Sequence, residues 1–302
     1  MNKLKSYTEY IILAAVAVLL LLYIIFRSAG NINYVLPEPA AVDFENISRI
    51  TVEGPMKGLA DLEFSKTEDQ WFIEPEGWQA ENSNLVAIAK ALGDLKVTDL
   101  ISTSGNPGVY ALDEQQRVLV KAWEGDDLIR EVWVGKVSNN GIYTYMMFPG
   151  NENIYSVRGN LPSRVKDKNS MRDKRFLQIA RDSVQKMTLT STDSLEPVVL
   201  TKDLTTIWGS ESFEADDAAV KAVVNMFDPL RCKDFLYEQP SGSPAWNIEI
   251  LTAEGAVNLE LWPKTADDIY PARCSQNGYL VQTTSYAVEK ILGALGIVFE
   301  EE

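Results

Sequence analysis

Hydrophobic residues are distributed in two different ways along this chain of 302 residues. Residues 10–26 form one apolar run without charge, proline or glycine. A transmembrane helix needs about 17–25 such residues, so the run predicts a helix that crosses a membrane. A cleaved signal peptide is the alternative, because Ser28, Ala29 and Gly30 resemble a cleavage site. The run exceeds the usual signal-peptide length of about 7–15 apolar residues, so we predict a retained anchor.

Basic residues flank this apolar run unequally. Lys3 and Lys5 precede it, whereas Arg27 is the only basic residue after it until Arg49. Membrane proteins keep excess Lys and Arg on the cytoplasmic side, which predicts a cytoplasmic N-terminus. We therefore expect a single-pass protein of the cell inner membrane whose bulk is periplasmic or otherwise extracytoplasmic. In this prediction residues 1–30 are the cytoplasmic N-terminus and anchor, and residues 31–43 are a linker.

Beyond the linker, short alternating stretches surround one amphipathic segment. Alternation of apolar and polar residues between turn signals is typical of strands. These predicted strands are residues 47–53, 62–66, 71–74, 97–102, 118–123, 131–134, 142–148 and 154–157. Residues 81–95 instead have apolar positions at helical spacing, which predicts a helix with one buried face. That face consists of Leu85, Ile88, Leu92 and Leu95.

The same order of elements then starts again. The apolar helix face recurs at one constant offset as Val220, Val223, Phe227 and Leu230. Trp208 stands in the second copy where Trp71 stands in the first. Chance similarity between two β-rich segments is the alternative, but an ordered set of matches argues against it. We therefore predict the α+β class, with two tandem modules at residues 44–165 and 182–302, each a mainly antiparallel sheet with one packed helix.

A basic junction is predicted between the modules, at residues 166–181. The basic stretch around it, residues 164–181, has seven basic residues against two acidic ones. One interpretation, which we favour, is that ion pairs here tie the two modules together. The other is a docking patch for an acidic partner or for lipid headgroups. The candidate docking residues are Arg164, Lys166, Lys168, Arg172, Lys174 and Arg175.

Composition narrows the possible chemistry. The chain has 28 Lys and Arg against 43 Asp and Glu, a net charge of −15, which argues against nucleic-acid binding. It has no histidine, which removes Ser-His-Asp and Cys-His catalysis and His-ligated zinc. Cys232 and Cys274 are too few for a cysteine-ligated zinc or iron–sulfur site. Whether they pair depends on geometry that the sequence does not give.

Acidic residues and tryptophans are the remaining candidates. Adjacent carboxylates occur at four places, where Asp also serves as a turn former or helix cap. These places are residues 126–127, 216–217, 267–268 and 300–302. We therefore predict no catalytic, cofactor-binding or metal site, and no enzyme. Trp78 and Trp246 are candidate exposed aromatics that would anchor an interface.

Two short motifs carry a family resemblance. Residues 110–113 read Tyr-Ala-Leu-Asp, and residues 172–177 read Arg-Asp-Lys-Arg-Phe-Leu. Together with the N-terminal apolar run, the tryptophan after the first hairpin and the capped helix, they make the chain resemble a bacterial membrane-anchored family of unknown function. That family is associated with gliding-motility-type ABC transporters and their auxiliary components, and commonly has glycine where this chain has Ala111.

The resemblance implies an extracytoplasmic accessory protein of an export complex, without established catalytic residues. We therefore predict a non-catalytic, membrane-anchored accessory or scaffold subunit of a membrane complex, with an ABC-type exporter and its auxiliary subunit as partners. One alternative is an extracytoplasmic module that binds a lipid or solute between sheet and helix. A further alternative is a carboxylate-dependent cell-wall hydrolase. No cofactor is expected.

Overall fold

A computed structural model of the chain describes residues 3–28, 35–54, 61–103, 105–192, 194, 196–203, 205 and 207–298. Side chains are described from position 10 to 23 and throughout the later ranges. Helix α1 comprises Lys3–Ser28. The flanking side chains of Lys3, Lys5 and Arg27, residues 31–34 of the predicted linker and the acidic residues 300–302 lie outside the described part.

The transmembrane helix predicted from the apolar run is wrong. No helix within the described residues is long and apolar enough to cross a membrane. The side chains described in α1 run from Tyr10 to Tyr23 and are exposed.

The first sheet has nine strands, and all its paired neighbours are antiparallel. In chain order the elements are β1 Arg49–Glu53, β2 Leu62–Thr67, β3 Gln70–Glu74, β4 Trp78–Gln79, α2 Asn82–Gly93, β5 Val97–Ser102, β6 Val118–Glu124, β7 Asp127–Val137, β8 Tyr143–Phe148 and β9 Asn151–Arg158. Their spatial order is β4-β3-β2-β1-β6-β7-β8-β9-β5. The segments of alternating apolar residues therefore form one wide sheet. Strand β5 pairs with β9 at the edge opposite to β4.

Helix α2 covers one face of this sheet. Leu85, Ile88 and Leu92 are all 0% exposed and pack in one core with inward residues of the strands. The C-terminal end of α2 is held by the buried Arg130, which donates to the carbonyls of Leu92 and Ala40. A cation at that end also complements the helix dipole. The predicted ligand position between helix and sheet stays a prediction.

A short segment then leads to a second sheet of eight strands. The elements are α3 Lys168–Met171, β10 Arg175–Leu177, β11 Val184–Ser191, β12 Val198–Lys202, β13 Trp208–Ser210, α4 Asp217–Met226, β14 Leu230–Arg231, β15 Asp234–Phe235, β16 Trp246–Thr252, β17 Gly255–Leu261, β18 Ile269–Cys274, β19 Leu280–Thr284 and α5 Ser285–Ala294. Strands β10 and β14 pair with each other in a separate two-stranded sheet, and the other eight form the second sheet. Single turns of 3-10 helix lie at Phe44–Asn46, Pro107–Tyr110 and Arg181–Ser183.

The two sheets share one strand order. The second runs β13-β12-β11-β16-β17-β18-β19-β15, which matches β3-β2-β1-β6-β7-β8-β9-β5 of the first, strand for strand. Each sheet has its first helix, α2 or α4, at the same point in the connection between its third strand and its far edge strand. The predicted boundaries of the modules, at 44–165 and 182–302, stay a prediction.

The fold class predicted from the sequence is nevertheless wrong. The described part of the chain is mostly antiparallel sheet with few helices. Sheets of nine and eight strands outweigh the short helices that pack on them. The prediction of one helix per module also missed α5. Its buried residues Ala287, Val288, Ile291 and Leu292 have helical spacing after the capping residue Thr284, whose side chain accepts from the Ala287 N–H. That pattern is a recognisable helix signal.

Candidate functional site at the seam between the two sheets

The junction, residues 166–181, is hydrogen-bonded to the first sheet along its earlier half. The Asp173 N–H donates to the Gln79 carbonyl at 2.9 Å, and the Glu81 N–H donates to the Met171 carbonyl at 2.8 Å. These bonds extend the edge of the first sheet next to β4. A backbone fixed at the sheet edge gives the side chains that follow a defined direction.

The later half of the junction is bonded to the second sheet's side. Strand β10 pairs with β14, and the Cys232 N–H donates to the Lys174 carbonyl at 2.8 Å. Asn277 donates through its side chain to the Phe176 carbonyl at 3.0 Å. The junction is therefore a seam that is bonded on both sides rather than a free linker.

Arg172 is the central side chain of the seam and is only 4% exposed. Its guanidinium carbon lies 3.9 Å from the ring centre of Trp78, 3.3 Å from that of Phe235 and 4.9 Å from that of Tyr279. Trp78 belongs to the first sheet, Phe235 belongs to the second, and Tyr279 directly precedes strand β19 of the second. The electron-rich faces of aromatic rings attract a cation, most strongly when water is excluded. One guanidinium thus joins rings from both sheets.

The electrostatics of Arg172 are unusual for a buried charge. It forms no ion pair within the described residues, and its Nε is buried without a hydrogen-bond partner. Burial lowers the pKa of the Arg172 guanidinium, and the nearby Tyr237 phenol opposes that shift. Arginine stays charged under these conditions because its reference pKa is so high. The rings and phenol therefore replace the carboxylate that a buried arginine ordinarily meets.

Ion pairs surround this centre. Arg231 Nη2 lies 2.5 Å from Glu81 Oε2, which links β14 to the start of α2 across the seam. Arg175 lies 2.5 Å from the buried Asp173 carboxylate, which raises the pKa of Arg175. Lys168 lies 2.5 Å from Glu76 and lowers the pKa of that carboxyl. Of these three pairs only Arg231–Glu81 crosses the seam, and neither of its residues lies in the basic stretch. That ion pairs of the stretch tie the modules stays a prediction, and Arg172 itself contacts rings.

The six candidate docking residues separate into three groups. Arg164 and Lys166 are exposed, and no partner for either charged end is seen in the described part. Lys168 and Arg175 are half-buried in the ion pairs above, while Lys174 donates to the Lys233 carbonyl at 2.7 Å. Arg172 is buried and cannot face a partner. Only Arg164 and Lys166 keep the accessibility that docking requires.

Neither tryptophan predicted to be exposed lies free on the surface. Trp78 is half-buried, with its ring between Arg172 and Tyr237, whose ring centre is 6.1 Å away. Trp246 is half-buried against the core of the second sheet, with its ring centre 6.3 Å from that of Tyr270. Both predictions of exposure are corrected, because each indole finds an aromatic neighbour brought close only by the fold.

A polar cleft of about 510 Å³ opens along the seam. Five carboxamide side chains line it: Gln70, Gln79, Gln178, Gln276 and Asn277. The Gln276 side chain exchanges two hydrogen bonds of 2.9 Å with the backbone of Gln178, so part of this lining is fixed. Such a surface can donate and accept hydrogen bonds.

The acidic pairs lie on turns and at a helix start. Asp126 and Asp127 are at the β6–β7 turn, and the Asp216 carboxylate accepts from the Ala218 and Ala219 N–H groups at the start of α4. Asp268 lies 2.5 Å from Lys264. In the described ranges no three acidic or cysteine side chains gather as metal ligands would. The geometry assigns each pair a local role.

Both cysteines are buried and unpaired. Burial raises the pKa of each thiol, Cys232 and Cys274, to about 11. A thiol with so high a pKa is a poor nucleophile at neutral pH, since the thiolate is the reactive form. The open question of pairing is thus answered in favour of two separate thiols.

Sequence reasoning missed the ring residues Phe235, Tyr237 and Tyr279. They lie far from Arg172 in the chain, and no periodic pattern relates them to it. The sequence held only an indirect signal that Arg172 is buried. It lies in a junction between two predicted modules, where part of the chain is expected to be covered. Only the fold shows which rings it meets.

Comparisons with known proteins identify a family. A family model described as a domain of unknown function (DUF4340) matches residues 71–247, more than half of the chain. The match begins in β3, includes the entire junction and ends in β16. No curated protein and no solved structure matches the chain.

Proposed function

The chain belongs to the DUF4340 family, whose function is unknown, and on that premise we propose that it is a non-catalytic scaffold subunit of an extracytoplasmic protein complex. The observation that carries the proposal is the seam. A junction bonded to both sheets, with a desolvated arginine shared by rings of both, holds two wide sheets as one unit. A fixed pair of large surfaces suits assembly.

The proposed docking patch is the exposed start of the basic stretch. Arg164 and Lys166 are cations on an acidic protein, and neither charged end meets a partner among the described residues, so they complement an acidic partner surface. The acidic pairs support a non-catalytic role, because turns and a helix cap account for their positions. The extracytoplasmic location and the first partner to test, an ABC-type exporter with its auxiliary subunit, rest on the family resemblance given in the sequence analysis.

Affinity purification tests this proposal. The tagged full-length chain, extracted from its own cells in mild detergent, is expected to recover the exporter. The double variant Arg164→Glu, Lys166→Glu should recover several-fold less, and more so at low salt, since exposed charges are screened by salt. Lys96→Glu, Lys136→Glu is the matched control, because both lysines are exposed outside the junction. It should recover as much as the unchanged chain.

Melting curves of all three proteins must agree, so that a loss of recovery reports docking rather than unfolding. If the unchanged chain is recovered alone, the assembly proposal fails. If both double variants lose recovery equally, the partner responds to net charge and the docking patch is misplaced.

A further inference from the structure

A loop covers the face of the first sheet that lies opposite α2, which we call the outer face, and it is longer than the matching loop of the second sheet. We call residues 105–117 the outer loop. It joins β5 to β6 and builds a small core of its own, in which Leu112 packs with Met147 and Ile154. In the second sheet the matching connection, 236–245, is shorter. An insertion confined to one copy of a repeated fold is where a separate function is expected.

The outer loop is seated tightly on the sheet. A Cβ added at Gly135 of β7 would lie 2.3 Å from the Tyr110 carbonyl oxygen and 2.8 Å from Leu112 Cγ. The rings of Tyr110 and Tyr145 meet edge to face, with their centres 4.9 Å apart. The close approach of the loop backbone to Gly135 and the contact between the two tyrosine rings hold the outer loop in one position on the sheet. A cavity beside it therefore has a defined shape.

That cavity has a volume of about 680 Å³ and lies between the outer loop and the tip of the β8–β9 hairpin. Sites for small molecules usually measure about 300–1,000 Å³ and combine an apolar lining with a few placed polar groups. Here the apolar lining comes from Leu112, Trp133 and Met147. The polar groups are Arg117 and the acidic residues of the rim.

The Arg117 guanidinium is held in one orientation and is available to bind an anion. Its guanidinium carbon lies 4.2 Å from the ring centre of Trp133. Within the described residues its side chain makes no ion pair and no hydrogen bond. A guanidinium held flat on an indole keeps its N–H groups at the edge, where they can bind both oxygens of a carboxylate. The cavity thus offers one anion site above an apolar floor.

The rim has the opposite charge. Glu114 and Glu152 line the cavity and are exposed. Asp113 also lines it, but its carboxylate accepts from the Gln115 N–H at 3.1 Å and so belongs to the turn. These two exposed carboxylates disfavour a purely anionic amphiphile and favour a ligand that also carries a positive group. The lining therefore favours a small molecule that has a carboxylate, an apolar side chain and an ammonium group.

We propose that this cavity binds a short peptide with an apolar C-terminal residue. The terminal carboxylate pairs with Arg117, the apolar side chain lies on Leu112, Trp133 and Met147, and the ammonium faces Glu114 and Glu152. This binding goes beyond the scaffold role and does not depend on it, because the cavity is remote in sequence from the junction and uses none of its residues.

Calorimetric titration of the full-length chain tests the proposal. The probe is alanyl-phenylalanine, compared with its C-terminal amide and with decanoate. The free dipeptide should bind, and the amide should bind at least about tenfold more weakly, since hydrogen bonds to charged groups contribute that much. Arg117→Gln should weaken the dipeptide to a similar degree. Arg158→Gln is the matched control, because Arg158 is exposed on β9 and does not line the cavity; it should leave affinity unchanged.

Three results would overturn the proposal: an amide that binds as tightly as the free dipeptide, decanoate that binds in preference to the dipeptide, or no measurable heat from the dipeptide at millimolar concentration. The comparison of dipeptide with amide uses the unchanged chain, so it stands even if Arg117→Gln fails to fold. Agreement of the melting temperatures of the two arginine variants is the check on folding.

Discussion

The first and second sheets have the same strand order but are covered differently. The first has α2 on one face and the outer loop on the other, and its small outer core contains Leu112. The second has α4 and α5 in one core, which includes Val223 and Ile291. The shared order follows from strand patterns that repeat along the chain. The differences lie in connections and in the C-terminal helix.

This difference separates what a repeated pattern specifies from what it leaves open. Inward apolar residues on each strand determine pairing, because a slip by one residue would turn the whole apolar set to the other face. A connection has no such restraint and can lengthen. The first sheet therefore gained a cavity at its outer loop, and the second gained a larger core.

The largest expected effect tests whether the two helix faces are equivalent. Leu92 and Phe227 are both 0% exposed and occupy corresponding positions. Leu92→Ala should lower the free energy of unfolding by about 2–5 kcal/mol and Phe227→Ala by about 3–5 kcal/mol, through lost burial and the cavity left behind. Urea denaturation followed by fluorescence and circular dichroism measures both.

Val86→Ala is the control for this pair, because Val86 lies on α2 with 37% exposure. Its effect should stay within about 0.5 kcal/mol, as is usual for surface substitutions. A near-neutral result at either buried position would break the equivalence of the two helices.

Local patterns predicted the elements of the fold well because their causes are local. The eight apolar residues predicted for the two helix faces, from Leu85 to Leu230, are all buried, and strand β5 has the predicted bounds, Val97–Ser102. The predicted faces were too long, because Leu95 follows α2, Phe227 is the C-cap of α4 and Leu230 lies in β14. The balance of sheet over helix, the membrane span and helix α5 were mispredicted. For α5 the signal was present at residues 284–292, but the assumption of one helix per module hid it.

The candidate site was less predictable, since its contacts join distant parts of the chain. The basic stretch marked the seam, yet charge alone did not show that Arg172 is buried while Arg164 is exposed. Burial there depends on rings at positions 78, 235 and 279, which only the docking of the two sheets brings together. The cavity at Arg117 has the same cause: its tryptophan comes from another strand.

A smaller effect is expected at the seam. Arg172→Ala removes a desolvated cation from three rings, an interaction of about 2 kcal/mol. We expect the free energy of unfolding to fall by about this amount, and one cooperative urea transition to become two, because the sheets then unfold separately. Fluorescence and circular dichroism would then give different midpoints.

Arg172→Met is the control that separates charge from volume. If this variant restores a single transition, packing rather than the cation couples the sheets. A single transition with an unchanged midpoint in Arg172→Ala would contradict the coupling altogether.

The smallest effect distinguishes the starts of α2 and α4. Asp216 caps α4 through the Ala218 and Ala219 N–H groups, whereas Glu81, at the same position of α2, makes no capping bond and instead pairs with Arg231. Asp216→Ala should cost about 1 kcal/mol, as the loss of an N-cap does. Glu81→Ala should cost about 0.2–1 kcal/mol, because its ion pair is partly exposed.

A double-mutant cycle of Glu81→Ala with Arg231→Ala, followed by urea denaturation, identifies the role of Glu81. If the carboxylate acts across the seam, its loss has no further effect once Arg231 is absent. If Glu81→Ala lowers the free energy of unfolding equally with Arg231 present and with Arg231 replaced, Glu81 stabilises its own helix and the two helix starts are equivalent. The expected coupling would show that one position of the repeat caps a helix in the second copy and binds β14 across the seam in the first.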